Sequence, residues 1–379
     1  MKDLAETLAA LVEQAINDGV FPGAAIGIVA GAPGKRQKLV LAQGYAARRP
    51  RPRRMRAGNF FDLASLTKPL ATTLAVLSLL KEKKVSLTTP LAALLERTVP
   101  ADKKNITLRQ LLSHCAGLPA YQPYYKKLTD YAPDRRADLV LAWILREKLA
   151  YPPRAAVLYS DLGFILLGRI VEIKSGARLH DYVADKIYKP LGLEKDLFFR
   201  PLPPGPAGAG RDKKEFAATE RCLWRRKILC GEVHDDNCYA LGGVAGHAGL
   251  FGNVESVLRL TTFLLDQWRG RVSHPNYKNQ DFWKFVKRQT AIPANTWALG
   301  FDTPAARCSS GGRYLSPTSI GHLGYTGTSF WIDGDKELVV VLLTNRVHPD
   351  RNNVQIKTFR PLFHDAILSR YNVATGGFF

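Results

Sequence analysis

Two serines in this chain stand three residues before a lysine, Ser65 before Lys68 and Ser78 before Lys81. On a helix that spacing puts hydroxyl and ammonium on one face. A lysine in a partly desolvated site loses proton affinity and can then take a serine proton, which makes the serine a nucleophile. The two copies differ in setting. Ser65 follows the short extended segment "NFFDLA" and opens a helix whose first turn holds Thr67, Lys68 and Pro69, where proline is tolerated because the first N–H groups have no acceptor. Ser78 falls inside "LAVLSLLKEKK", where its hydroxyl is expected to bond the preceding turn while Lys81 points to solvent.

A nucleophilic serine also needs a proton relay to the leaving group and donors for the developing oxyanion. Tyr159-Ser160-Asp161, just before the apolar helix "LGFILLGRIVEIKSG", offers a phenol and a carboxylate at a loop-to-helix junction. In "SIGHLGYTGTSFWID", His322-Leu323-Gly324 is expected at the start of a strand, with Gly324 letting a substrate approach the backbone. Two decoys compete. Lys174-Ser175-Gly176 ends a helix that Gly176 caps, and Tyr277-Lys278-Asn279 reads as a polar turn with no helix behind it. His247 in "AGHAGLF" and His114 at the end of "TLRQLLSH" read as structural.

The elements that must position these groups follow from periodicity. Leu4, Leu8, Leu11, Val12 and Ile16 share one face of a first helix between Asp3 and Asp18. "AAIGIVAG" and "KLVLAQGYAA" read as an antiparallel pair across the loop "APGKRQ". Near the other end, "SFWIDGDKELVVVLLTNR" reads as two strands about the turn Asp333-Gly334-Asp335, and "FRPLFHDAILSRYN" as a closing helix. Strands at both ends with helices between them predict an α/β (α+β) fold, one antiparallel sheet completed by both termini. The expected division is residues 1–64 and 241–379 as an α/β sandwich, with residues 65–240 a mainly α-helical insertion and the site in the cleft between them.

With 379 residues, 46% hydrophobic, the chain can bury a large core. No apolar run reaches membrane-spanning length and "KDLAETLAALVEQAINDG" lacks the features of a signal peptide, so a cytoplasmic protein is expected unless a signal was removed. The five cysteines form no Cys-x-x-Cys pair and no complete zinc set. The net charge of +21 raises anionic partners, but it is scattered, and "RRPRPRRMR", with six arginines in nine residues, is broken by Pro50 and Pro52 into a solvated loop rather than a recognition helix. No nucleic-acid partner is expected.

Ser65-x-x-Lys68, Tyr159-x-Asp161 and His322-x-Gly324, in that order, resemble the serine β-lactamase and penicillin-binding-protein superfamily in its class C and esterase-like branch. "LLSHCAGLP", "YSDLGFILLGRIVE" and "LGGVAGHAGLF" extend the resemblance. It implies the β-lactamase/DD-peptidase-like fold and acylation of Ser65, with Lys68 and Tyr159 sharing the proton transfers. The backbone N–H groups of Ser65 and Tyr325 would form the oxyanion hole, and Gln122, in a loop that contacts substrate in relatives, would help bind it. His322 would line the sheet side, assisting proton transfer or carboxylate binding.

Two departures from the family pattern bear on the reading. Asp161 replaces an asparagine and would favour a charged Lys68. His322 replaces a lysine, removing a permanent cation suited to a β-lactam carboxylate. The expected activity is therefore that of a carboxylesterase on small or medium esters, with weak or no β-lactamase activity and with no metal or cofactor. A muropeptide amidase or DD-peptidase with the same site is the alternative. A non-catalytic binding protein retaining the fold is a third, disfavoured by the intact Ser65, Lys68 and Tyr159. The oligomeric state is not legible.

Overall fold

The computed structural model describes residues 2–202, 211–289, 291–292, 295–372 and 377–378. In chain order its main strands are β1 (Gly23–Ala30), β2 (Gln37–Ala47), β3 (Arg53–Arg54), β4 (Phe61–Asp62), β5 (Leu197–Phe199), β6 (Ala218–Cys222), β7 (Lys227–Cys230), β8 (Leu250–Gly252), β9 (Ile320–Leu323), β10 (Ser329–Asp333) and β11 (Leu338–Thr344). Six of them make one sheet in the order β3-β2-β1-β11-β10-β9. The seam between the chain ends is the antiparallel pair β1 and β11, with Ala24 opposite Thr344 and Ala30 opposite Leu338.

Strand periodicity divides the side chains of this sheet between two cores. Ile26 and Ile28 of β1 and Val340 and Leu342 of β11 meet Leu4, Leu8, Val12 and Ile16 of the helix Lys2–Asn17, together with Phe359, Phe363 and Ile367 of the helix Ile356–Leu368. Their neighbours Ala25, Val29, Val339, Val341 and Leu343 point the other way, onto Val254, Val257 and Leu258 of the helix Val254–Trp268. Burial on both faces explains why β11 reads as an unbroken apolar run. Each such side chain contributes roughly 1.5–3 kcal/mol when fully buried. The sheet between two helical layers is thus a rigid platform for whatever its edge strand carries.

The middle of the chain is largely helical but not wholly so. β5 joins β4 and β8 in a three-stranded sheet, and β6 pairs with β7. β4 and β8 hold the chain on its way into Ser65, with Phe61 opposite Gly252 and Asp62 opposite Phe251. The helix Asp161–Ser175 is capped by Ser160, whose hydroxyl accepts from Gly163 N–H (3.2 Å), and it ends at Gly176 with φ 75°.

The structure differs from the sequence reading at several points. His322-Leu323-Gly324 ends a strand instead of starting one, because β9 stops at Leu323. A helix, Asn279–Val286, does follow Tyr277-Lys278-Asn279, but Tyr277 is buried and its ring stacks on His274 at 4.3 Å. The Ser78 hydroxyl accepts from Tyr182 O–H (2.9 Å) rather than bonding the preceding turn, while Lys81 is exposed as expected and bonds the carbonyl of Pro275 at the surface. Within the arginine run, Arg53 is tied down, donating to the carbonyls of Lys214 (2.6 Å) and Phe216 (2.9 Å).

Candidate active site

Ser65 lies in a short 3-10 turn, Ala64–Leu66, that continues into a π-helical stretch, Lys68–Thr73, and then into the helix Leu74–Lys81. Ala64, immediately before the serine, has φ 48°, a left-handed conformation that costs a residue with a Cβ. It is held by Asp62, whose carboxylate accepts from Ala64 N–H (2.8 Å) and from His234 N–H (2.5 Å). Thr67 adds a second clamp, donating to the Ala64 carbonyl (2.6 Å) and accepting from Leu250 N–H (3.1 Å). The sharp turn is therefore locked from both sides, and Ser65 faces a cavity of 840 Å³.

Lys68 is completely buried beneath Ser65. Its Nζ donates to Ser65 Oγ (3.0 Å), to Asp161 Oδ1 (2.7 Å) and to the carbonyl of His247 (3.1 Å), which uses all three ammonium donors. Burial acts to lower the proton affinity of Lys68, but the Asp161 carboxylate and the Tyr159 phenol together outweigh it, so the net shift is upward. This direction agrees with the expectation that Asp161 favours a charged Lys68: with aspartate at position 161, the resting amine is an ammonium.

Tyr159 lines the cavity, with its ring centroid 4.8 Å from Lys68 Nζ and its phenol within reach of both Lys68 and Ser65. Burial raises its pKa, partly offset by Lys68, so the phenol is neutral. The segment bearing Tyr159 and Asp161 is fixed from behind. His114 Nδ1 accepts from Ser160 N–H (3.1 Å), Ser160 Oγ donates to the Pro119 carbonyl (2.7 Å), and Asp161 N–H donates to the Ala120 carbonyl (2.9 Å). His114, Trp297 and His322 pack around the Tyr159 ring at centroid distances of 4.7, 5.4 and 6.0 Å.

The opposite wall is the end of β9 and the turn after it. His322 Nδ1 lies 2.8 Å from the Leu323 carbonyl, so that nitrogen carries the proton and the buried Nε2 keeps a lone pair. Burial, reinforced by Lys68, lowers its pKa to about 3. A neutral ring whose free nitrogen is an acceptor cannot hold a carboxylate, which removes that expected role. Gly324 lines the cavity, and glycine is needed there because a Cβ would lie 2.0 Å from Thr328 Oγ1 and 2.8 Å from the Leu63 carbonyl. Thr326 Oγ1 donates to the Asp62 carbonyl (2.8 Å) and Thr328 Oγ1 to the Leu63 carbonyl (3.1 Å). The turn carrying Tyr325 is therefore bolted to the residues that lead into Ser65.

Gln122 is not brought to this site. Its amide donates to Glu147 (3.0 Å), while the neighbouring Tyr121 lines the cavity. Sequence reasoning missed Trp297 altogether and the carbonyl of His247 as a Lys68 partner. The phrase "LGGVAGHAGLF" held the available signal for the latter: Gly246 packs so closely on Gly168 that only glycines fit, which brings the His247 carbonyl over Lys68.

The pattern of the Beta-lactamase family matches residues 8–362. The chain belongs to the Beta-lactamase family. Among its relatives, the N-acetylmuramyl-L-alanine amidase of Bacillus subtilis (strain 168) is 32% identical over 369 residues, covering 89% of this chain and 80% of the relative. Among solved structures, EstCE1, a hydrolase with promiscuous acyltransferase activity, matches with TM-score 0.70 at 21% identity, covering 95% of this chain and 99% of that one. The octameric penicillin-binding protein homologue from Pyrococcus abyssi matches with TM-score 0.72 at 19% identity, covering 98% and 79%. This Beta-lactamase family member has the β-lactamase and penicillin-binding-protein fold and is a serine hydrolase. Among the described residues no helix is long and apolar enough to cross a membrane.

Proposed function

We propose that this hydrolase cleaves carboxylic esters through an acyl-enzyme on Ser65. The observation that carries the reading is the contact of Lys68 Nζ with Ser65 Oγ at 3.0 Å on the floor of the cavity. The resting site holds Lys68 as an ammonium beside the Asp161 carboxylate, with Tyr159 a neutral phenol. The reaction begins from the form in which Lys68 has released its proton. The amine takes the Ser65 proton as Oγ bonds the substrate carbonyl carbon, and Tyr159 gives its proton to the leaving oxygen as the carbon–oxygen bond breaks. The new ammonium then returns a proton to the Tyr159 phenolate. Water repeats the sequence in deacylation, and all protons balance. The N–H groups of Ser65 and Tyr325 receive the oxyanion in this reading, supported by the hydrogen bonds that tie the Tyr325 turn to Asp62 and Leu63.

A second reading, an amidase on peptidoglycan fragments, is favoured by the 32% identity over 89% of the chain to a relative named as a muramyl amidase. The proton path is the same, with nitrogen as the leaving atom. The test is steady-state hydrolysis of p-nitrophenyl butyrate, a chromogenic cephalosporin and a muramyl peptide by wild type and Ser65→Ala. Ester turnover lost in the variant, with an acyl adduct on Ser65 by intact mass, is the expected result. Muramyl peptide turnover without ester turnover would replace the esterase reading by the amidase one, and no Ser65-dependent turnover would sink both.

A further inference from the structure

Two hairpin tips far apart in the sequence carry unpaired positive charge. One is the turn between β2 and β3, where Tyr45 pairs with Arg54, and it presents Arg48, Arg49 and Arg51. The other joins β6 to β7 in "ERCLWRRK" and presents Arg221, Arg226 and Lys227. Residues 48–56, 211–227 and 348–350 expose ten lysines and arginines against two acids, Asp212 and Asp350, so the face is strongly cationic. The ion pairs of this region go to Arg211, Lys214, Arg225 and Lys227. Among the described residues, Arg48, Arg49, Arg51, Arg221 and Arg226 make none.

One loop holds the two tips side by side. The His348 ring accepts at Nε2 from Arg48 N–H (2.9 Å) and Arg49 N–H (3.3 Å), and its Nδ1 lies 2.7 Å from the Thr219 carbonyl of β6. The next residue, Pro349, receives the Arg221 N–H on its carbonyl (2.7 Å). At the second tip, Arg225 turns inward. It donates to the carbonyls of Val233 (2.6 Å) and His234 (2.9 Å) and pairs with Asp236 (2.8 Å), which roots the tip on the cavity wall. The backbone beneath the free guanidinium groups is therefore fixed, and they form one surface.

The apolar residues among these charges choose the partner. Leu223 is 85% exposed and Trp224 39%, with Arg221 before them and Arg226 and Lys227 after. Trp224 is set in place by the rings of Tyr125 and Tyr239, at centroid distances of 4.8 and 5.6 Å, and Leu223 beside it is left in water. A nucleic acid would use the charge and leave Leu223 in water. A bilayer surface uses both, because leucine and indole enter the headgroup layer while the cations meet anionic lipid. We propose that the two hairpin tips form a docking face for an anionic lipid surface, with Leu223 and Trp224 inserted among the headgroups. The face is independent of the acyl-enzyme reading of Ser65.

The test is sedimentation of the full chain with vesicles of phosphatidylcholine alone and of phosphatidylcholine mixed with phosphatidylglycerol. Binding is expected to the anionic vesicles, about tenfold or more above the neutral ones, and it should weaken as salt is added. Each Lys or Arg near an anionic surface is worth roughly fivefold in binding. The Arg49 and Arg51 side chains make no hydrogen bond or ion pair among the described residues, so Arg49→Gln with Arg51→Gln should lower binding about 25-fold and leave the thermal melt unchanged. Lys35→Gln with Lys83→Gln removes the same charge elsewhere, Lys35 lying beyond the opposite end of β2, and should change binding by less than about twofold. Leu223→Ser should weaken binding several-fold while keeping its salt dependence. Equal losses in the two double variants would reduce the effect to net charge and overturn the docking face. So would equal binding to both vesicles, binding to neither, or wild-type binding by Leu223→Ser. Tighter binding to a DNA duplex than to the anionic vesicles, unmoved by Leu223→Ser, would assign the face to nucleic acid and overturn the proposal as well.

Discussion

Replacing Gly324 by alanine tests whether the turn after β9 aims a catalytic N–H. Gly324 is not among the glycines at positive φ, so the added methyl group brings no backbone strain and its effect is contact alone. The new Cβ would meet Thr328 Oγ1 at 2.0 Å and the Leu63 carbonyl at 2.8 Å, where ordinary contact begins at 3.4 Å. The hydroxyl can rotate away, giving up its bond to Leu63. The carbonyl belongs to the backbone leading into Ser65, so the two walls must separate by about 0.6 Å to restore contact. Overpacking of this size costs about 1–3 kcal/mol of stability, a few degrees of melting temperature in a chain this long. The activity loss should be far larger than that instability suggests. If the shift spoils one oxyanion donor at Tyr325, kcat falls about 100- to 1000-fold with KM changed only a few-fold. The assay is kcat and KM for p-nitrophenyl butyrate beside a thermal melt. Gly324→Ala with Thr328→Ala removes the 2.0 Å clash but leaves the one at 2.8 Å, so it should recover stability more than kcat. A variant with lowered melting temperature and wild-type kcat would refute the reasoning, because the turn would then be structural only.

Asp161→Asn removes the carboxylate that holds the Lys68 proton, leaving burial to dominate; the rising limb of kcat/KM against pH should move to lower pH, and an unmoved limb would show that Lys68 is not the group titrating. Gly246→Ala would put a Cβ 2.0 Å from the Phe164 carbonyl and 2.7 Å from Gly168 N, both backbone atoms, so it should cost about 3 kcal/mol and reduce kcat by displacing the His247 carbonyl from Lys68; a wild-type melt and rate would contradict this. Burial holds His322 and His364 neutral, with pKa values lowered from 6.5 to about 3. The unfolded chain therefore binds protons below pH 6.5 that the folded one refuses until about pH 3, and stability should decline across that window as pH falls. His364→Leu should flatten the decline by up to about 1.4 kcal/mol per pH unit; melts with equal slopes would count against it.

Local periodicity made the centre of the sheet legible because β1, β2, β10 and β11 are apolar on at least one face, whereas the edge strand β3, Arg53–Arg54, was read as part of a solvated loop. β5 and the hairpin of β6 and β7 were not legible, since strands of three to five residues are specified by partners far away, such as β8 for β5 and the Arg351 pair with Glu220 for β6. At the site, Ser65, Lys68, Tyr159 and Asp161 could be listed from motifs, and the structure brings Ser65, Tyr159 and Asp161 to one cavity with Lys68 buried beneath Ser65. That Asp161 would favour a charged Lys68 was legible as well, but that its carboxylate outweighs complete burial of the amine rests on the 2.7 Å contact, which only the fold supplies. The charge of the cavity wall escaped for the same reason. Position 322 taken alone argues for a wall without a cation, yet the chain brings Arg346 and Arg360 to that wall, from beyond β11 and from the closing helix. A motif records which groups occupy a site; its electrostatics depend on residues that the fold delivers from elsewhere.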